Sequence, residues 1–157
     1  MLGERLAGFV YGTIVALSVL IAGTRAYRHE PGHIAALVLV TSVVFWLAHV
    51  YAHALGESVV RERRLTLAEL RNVGRHEAAI IEAALVPVAA LLLGALGVIS
   101  TTASVWLALA LGLAVLAVQG LVFARLERLS LTGTLVIVSV NLALGVSLIC
   151  LKLLVVH

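Results

Sequence analysis

Five long apolar runs separated by short polar stretches make up this chain: residues 6–22, 33–55, 77–99, 105–124 and 131–156. A bilayer's hydrocarbon core is about 30 Å thick and takes about 20 helical residues to cross. Inside it every backbone amide and carbonyl must be satisfied within the chain, so runs of this length are helices. The pattern predicts an all-α polytopic membrane protein, one transmembrane domain over residues 1–157 with five spans. The first run, behind Arg5, also has the outline of a signal peptide with a small-residue site at Ala22-Gly23-Thr24. It is long for such a segment and reads as a retained span.

The polar stretches give the spans their ends. Residues 23–32 close with Glu30-Pro31-Gly32, a turn signal. Residues 58–76 are the only long polar segment. In them Thr66-Leu67-Ala68-Glu69 is a capping box flanked by Leu65 and Leu70 at the positions of a hydrophobic staple. A short amphipathic helix starting at Leu67 is expected between spans two and three, with Gly74 as its break. Residues 100–104 form an uncharged turn, and Arg125, Glu127 and Arg128 mark the last connection.

Within the first span, Gly8, Gly12 and Ala16 lie four residues apart, a spacing that lets a second helix approach closely. Close packing inside the chain is the preferred reading over a seam between two copies. Trp106 suits an interfacial anchor and Lys152 a snorkelling side chain.

Composition agrees with the pattern. The chain is 62% apolar and 12% charged with a mean hydropathy of +1.16, whereas soluble chains are about 25% charged. A net charge of +3 gives no reason to expect a nucleic-acid partner, and a single cysteine, Cys150, excludes an intrachain disulfide. The distribution of charge matters more. Arg5, Arg61, Arg63, Arg64, Arg71, Arg75, Arg125 and Arg128 fall on one side of a five-span protein, and Arg25, Arg28 and Lys152 on the other. The positive-inside rule then predicts a cytoplasmic N-terminus and an outer C-terminus, in a cell inner (plasma) membrane.

The candidate chemistry sits where span two meets the cytoplasmic edge. His49, His53 and Glu57 recur every four residues and share one helix face. An ionisable group at membrane depth costs about 2.5 kcal/mol or more, so such groups face protein, water or an ion rather than lipid. The predicted topology brings His76, Glu77 and Glu82 of span three to the same layer, with Gln119 of span four nearby. Pro87 frees the carbonyl of Ala83, one residue from Glu82. Imidazole and carboxylate together suit a divalent transition metal such as zinc, iron or manganese. They equally suit a proton relay, or a purely structural layer in which the histidines bond to backbone or to Gln119 and Arg75 neutralises Glu82. In the cation reading His49, His53 and Glu82 hold the ion, and Glu57, His76 and Glu77 form the mouth.

Other chemistries fit poorly. The sequence His29-Glu30-Pro31-Gly32-His33 matches the zinc-protease pattern H-E-x-x-H, but Pro31 denies it the helix interior that the motif needs. Bis-His haem needs ligands from opposing directions, and without Asp no Ser/His/Asp set exists. The chain is not expected to be an enzyme.

The layout also resembles the vacuolar iron transporter family, which includes nodulin-like members. Phe9-Val10-Tyr11-Gly12 is similar to the start of that family's first span, Gly56-Glu57 to the Gly-Glu closing its second, and Pro87 and the glycines from 120 to 145 look alike too. The likeness implies five spans, an inward N-terminus, a homodimer with a metal path lined by the first spans, and a transport role for Glu57. The family's first-span Asp and its Met ligands have no counterpart, and its cytoplasmic metal-binding insertion is reduced to residues 58–76. A fainter similarity, Phe45-Trp46 followed by His49, is to prokaryotic relatives of the lysosomal potassium channel, whose six spans and Arg/Phe/Ser/Asp signature are missing here. The expectation is therefore a homodimer or larger membrane assembly that binds or transports a small cation, divalent metal or proton. The rival is a non-catalytic accessory or scaffolding subunit.

Overall fold

The computed structural model describes residues 2–27, 29–63 and 65–155, with side chains described from residue 5 to residue 150. Arg28 and Arg64, two of the charges counted for topology, lie outside the described residues, as do the side chain of Lys152 and residue 156 of the fifth expected span. The described residues are all helix and connection: α1 (Leu2–Ala26), α2 (Pro31–Val60), α3 (Leu67–Glu77), α4 (Ala79–Ala95), α5 (Thr101–Leu126) and α6 (Leu131–Val155). Five helices are long and apolar enough to cross a membrane, α3 and α4 counting together as one. This is a multi-pass membrane protein.

The helix ends follow from local chemistry. Pro31 takes the first turn of α2, where its missing N–H costs nothing, and is itself buried. That start leaves His29 outside the helix, so the H-E-x-x-H match has no common face. The capping box of α3 is present as expected: Thr66 Oγ1 accepts from the Glu69 amide at 3.3 Å, and the Glu69 carboxylate accepts from the Thr66 amide at 2.8 Å. Ser100 caps α5 by accepting from the Ala103 amide, so residues 101–104 are helix rather than turn. Three helices end on a left-handed residue, Glu62 after α2, Gly97 after α4 and Arg128 after α5. In each case the next amide returns to a carbonyl five residues back, the Schellman closure.

Two expected boundaries moved. Helix α2 runs through Gly56 to Val60 instead of closing there. The break between α3 and α4 falls at Ala78, not Gly74. Gly74 stays helical because a neighbour exploits it: Trp46 of α2 lies against the missing side chain and donates its Nε1–H to the Gly74 carbonyl at 2.9 Å.

Helix α4 is the central element, packed on α1, α2 and α5, while α6 rests only on α5 and α1. The contact of α1 with α4 is the one the small residues make possible. A Cβ on Gly12 would lie 2.6 Å from the Ile80 carbonyl oxygen, and Ala16 is fully buried. The glycine stripe is thus consumed inside the chain. Beyond it, Leu17, Leu20, Ile34, Val38, Leu91 and Leu116 close a dry core.

Helix α2 buries Pro31, Ile34, Ala35, Val38 and Ser42, all in its first half. There α1 comes close, with Gly23 of α1 against Ile34. In its second half α2 parts from α1, and α3 fills only some of the gap. The resulting cleft holds the candidate site.

Candidate functional site

A cavity of about 520 Å³ lies between α1, the second half of α2 and α3. Five of the six residues expected from sequence line it: His49, His53, Glu57, His76 and Glu77. The four-residue spacing on α2 delivers the first three. The amphipathic turn pattern of α3, which buries Val73 and Gly74 against the bundle, turns His76 inward beside Asn72 and Glu69.

Three imidazoles are oriented by specific contacts. His49 Nδ1 lies 3.1 Å from the Phe45 carbonyl oxygen and His76 Nδ1 lies 2.8 Å from that of Asn72. A ring nitrogen facing a carbonyl must carry the proton, so the neutral ring keeps its lone pair on Nε2. His53 Nδ1 stands 3.4 Å from Glu77 Oε1, an ion pair between α2 and α3 when the imidazole is protonated. Glu77 is the least exposed of the paired carboxylates, at 19%. The His49 ring also packs on Tyr11 of α1, with centroids 4.8 Å apart.

The other acids are held by arginine. Arg61 reaches Glu57 at 2.5 Å and Glu69 at 3.0 Å, and Arg63 reaches Glu69 at 2.6 Å. Glu57 therefore arrives at the cleft already paired. The hydrogen bond and then the charge of Glu69 raise the Arg63 pKa above its ordinary value.

Glu82 is the exception. It was expected beside His49 and His53, yet it lies in the first turn of α4, outside the cleft, paired with Arg5 of α1 at 3.0 Å and 42% exposed. The break at Ala78 rotates α4 relative to α3, so the seven-residue register that suggested Arg75 as its neutraliser does not apply. Gln119 also departs from expectation: it lines a different cavity, with Asn141 and Phe123, and its Oε1 is buried without a partner. The histidines take none of their bonds from it.

Among the described residues no three His, Cys, Asp or Glu side chains converge closely enough to hold a metal ion. The cleft brings three imidazoles, His49, His53 and His76, and three carboxylates, Glu57, Glu69 and Glu77, to one open space. Sequence reasoning missed Tyr11, Arg61, Glu69 and Asn72 as lining residues. Only the capping box, which fixes Glu69 at the start of α3, gave a signal for any of them. Compared with family models, with curated proteins and with solved structures, this chain matches none.

Proposed function

We propose that this protein binds and carries a small cation, and that the cation is the proton. The supporting observation is the His53–Glu77 pair, 3.4 Å apart across two helices in an open cleft. A carboxylate and an imidazole at that distance form an ion pair when the ring is protonated, so gain or loss of that proton changes the attraction between α2 and α3. A divalent ion would ask for three or more converging ligands, so the proton is the better occupant. The likeness to the vacuolar iron transporter family supports cation handling as a class, with Glu57, held by Arg61, as a mouth residue rather than a ligand. With the N-terminus cytoplasmic, the cleft opens inward. The dry core around Leu17, Leu20 and Leu116 blocks a fixed channel, so passage requires helix movement and carrier-like rates.

Proteoliposomes holding a pH-sensitive dye test this reading. The wild-type protein is expected to relax an imposed pH gradient faster than empty vesicles, and His53→Ala or Glu77→Gln to slow it about tenfold or more, the scale on which a positioned proton-transfer group acts. A wild-type rate equal to that of empty vesicles, or variants as fast as wild type, rejects it. Stoichiometric zinc or manganese binding that is lost in the His49→Ala, His53→Ala double variant would move the reading to a metal.

The rival reading, an accessory or scaffolding subunit, draws on α6. Only 6% of its spanning part is buried, and its outer face is apolar. That face suits a second copy or another membrane helix, whereas the glycine face of α1 is covered by α4. Cross-linking from cysteines placed at Leu135 or Val140 distinguishes a homodimer from a foreign partner.

A further inference from the structure

On the opposite side of α3 from the polar cleft, a groove of about 430 Å³ runs along the outer face of α2. Its walls are apolar: Leu47, Val50, Tyr51 and Leu55 from α2, with Leu65 and Leu70 from the α3 side. From Leu47 to Ser58 it follows about 16 Å of helix, close to half of a roughly 30 Å hydrocarbon core. One leaflet's acyl chain has that reach. Tyr51, 66% exposed, sits along this groove.

The helix whose Leu70 forms one wall of the groove carries two exposed arginines. Arg71 and Arg75 are one turn apart on α3, Arg71 directly after the groove residue Leu70, and both are exposed. Unlike Arg5, Arg61 and Arg63, they have no ion-pair partner among the described residues. Leu67, four residues before Arg71 and 85% exposed, continues the same stripe. An apolar channel of one-leaflet length, walled by a helix that carries two arginines without ion-pair partners among the described residues, is complementary to one kind of molecule.

We propose that this groove is a binding site for an anionic phospholipid, with an acyl chain against Leu47, Val50 and Leu55 and the phosphate held by Arg71 and Arg75. A second copy is a poorer occupant: a two-fold contact places each patch against itself and brings these arginines toward their own counterparts. A water-soluble phosphate leaves the apolar groove unused. Bound lipid tethers α3 to α2 on the side away from His53–Glu77, so it holds the wall of the polar cleft in place. The site itself does not depend on what that cleft carries.

Native mass spectrometry of the delipidated protein in detergent, titrated with phosphatidylglycerol or with phosphatidylcholine of the same chains, tests the proposal. One phosphatidylglycerol is expected to bind more tightly than phosphatidylcholine by about thirtyfold, or about fivefold for each arginine near the surface. Arg71→Gln with Arg75→Gln should reduce that preference to near unity, weakening phosphatidylglycerol far more than phosphatidylcholine, whose choline already offsets its phosphate. Ala54→Trp, which fills the groove from α2, should weaken both lipids. Equal binding of the two lipids by the wild type, or an unchanged preference in the arginine pair variant, overturns the proposal. So does competition by glycerophosphoglycerol, which has the headgroup and no chains, at the concentration where the lipid binds. Circular dichroism and size-exclusion profiles identify a misfolded variant. In that case Arg71→Lys with Arg75→Lys, which keeps the charge, must retain most of the preference, and added salt must weaken it; failure of either also overturns the proposal.

Discussion

Substituting Gly12 with alanine tests the packing on which the whole bundle rests. The added methyl would sit 2.6 Å from the Ile80 carbonyl oxygen and 2.7 Å from its Cα, both backbone atoms of the central helix. Heavy atoms of this kind rest at about 3.5 Å, so α1 and α4 must part by about 0.9 Å. Ile80, Ala83 and Ala84 around that contact are at most 1% exposed and have no free space to take up the shift. Overpacking of this sort costs about 3 kcal/mol at its upper end, and replacing a helical glycine returns about 1 kcal/mol. The net expectation is a loss of about 2 kcal/mol. Gly8 is the internal control, because its added Cβ would meet Ala79 Cβ at 3.4 Å, an ordinary contact. Gly8→Ala should therefore be neutral or slightly stabilising. Reversible unfolding in mixed micelles, followed by circular dichroism as denaturing detergent is added, measures both. Equal stability of Gly12→Ala and wild type refutes the reasoning. So would a loss of oligomer in both variants with the monomer unaffected, since that outcome belongs to a seam between copies.

Three more expectations concern the polar end. Arg61→Gln removes the ties to Glu57 and Glu69 together; because Arg61 is 44% exposed, the cost is about 1 kcal/mol or less. It should appear in hydrogen exchange as faster opening of α3 rather than as global unfolding. Glu62→Gly and Arg128→Gly relieve left-handed backbone at φ 51° and should each stabilise the fold by up to about 1 kcal/mol in the same unfolding assay. A loss of stability in both would mean that those caps are not the Schellman closures described. Trp46→Phe deletes the bond to the Gly74 carbonyl and leaves that oxygen without the indole, at a cost of about 1 kcal/mol. Limited proteolysis in the connection between α2 and α3 should accelerate in that variant.

Much of this was legible because hydrophobic runs of twenty residues admit few alternatives. The spans, the capping box at Thr66 and the i, i+4 stripe of His49, His53 and Glu57 all depend on local spacing, and local spacing is written in the chain. What did not follow depends on relative rotation. Glu82 and His76 are six residues apart, and one irregular residue between their helices sends them to different places. Arg5 was counted for topology, yet nothing in sequence joins it to Glu82 across 77 positions. The glycine stripe told of a close neighbour without naming it, and Gly74, read as a break, proved to be a docking point for Trp46. Tyr11 escaped notice because one aromatic in an apolar span has no signature until its neighbour on α2 is known.

The charge of the cleft singles out one residue in it. Its lining holds three acids, Glu57, Glu69 and Glu77. Arginines hold the first two: Arg61 reaches Glu57 and Glu69, and Arg63 reaches Glu69. Glu77 is different: its partner is an imidazole, an ion-pair partner only when protonated. When His53 is protonated, α2 and α3 are drawn together across the cleft. When it is not, the pair loses that attraction. The arginine clamps on Glu69 at the other end of α3 involve no imidazole. Under the proton reading, a protonation event at this pair acts on the helix that the capping box and the Trp46 indole hold in place.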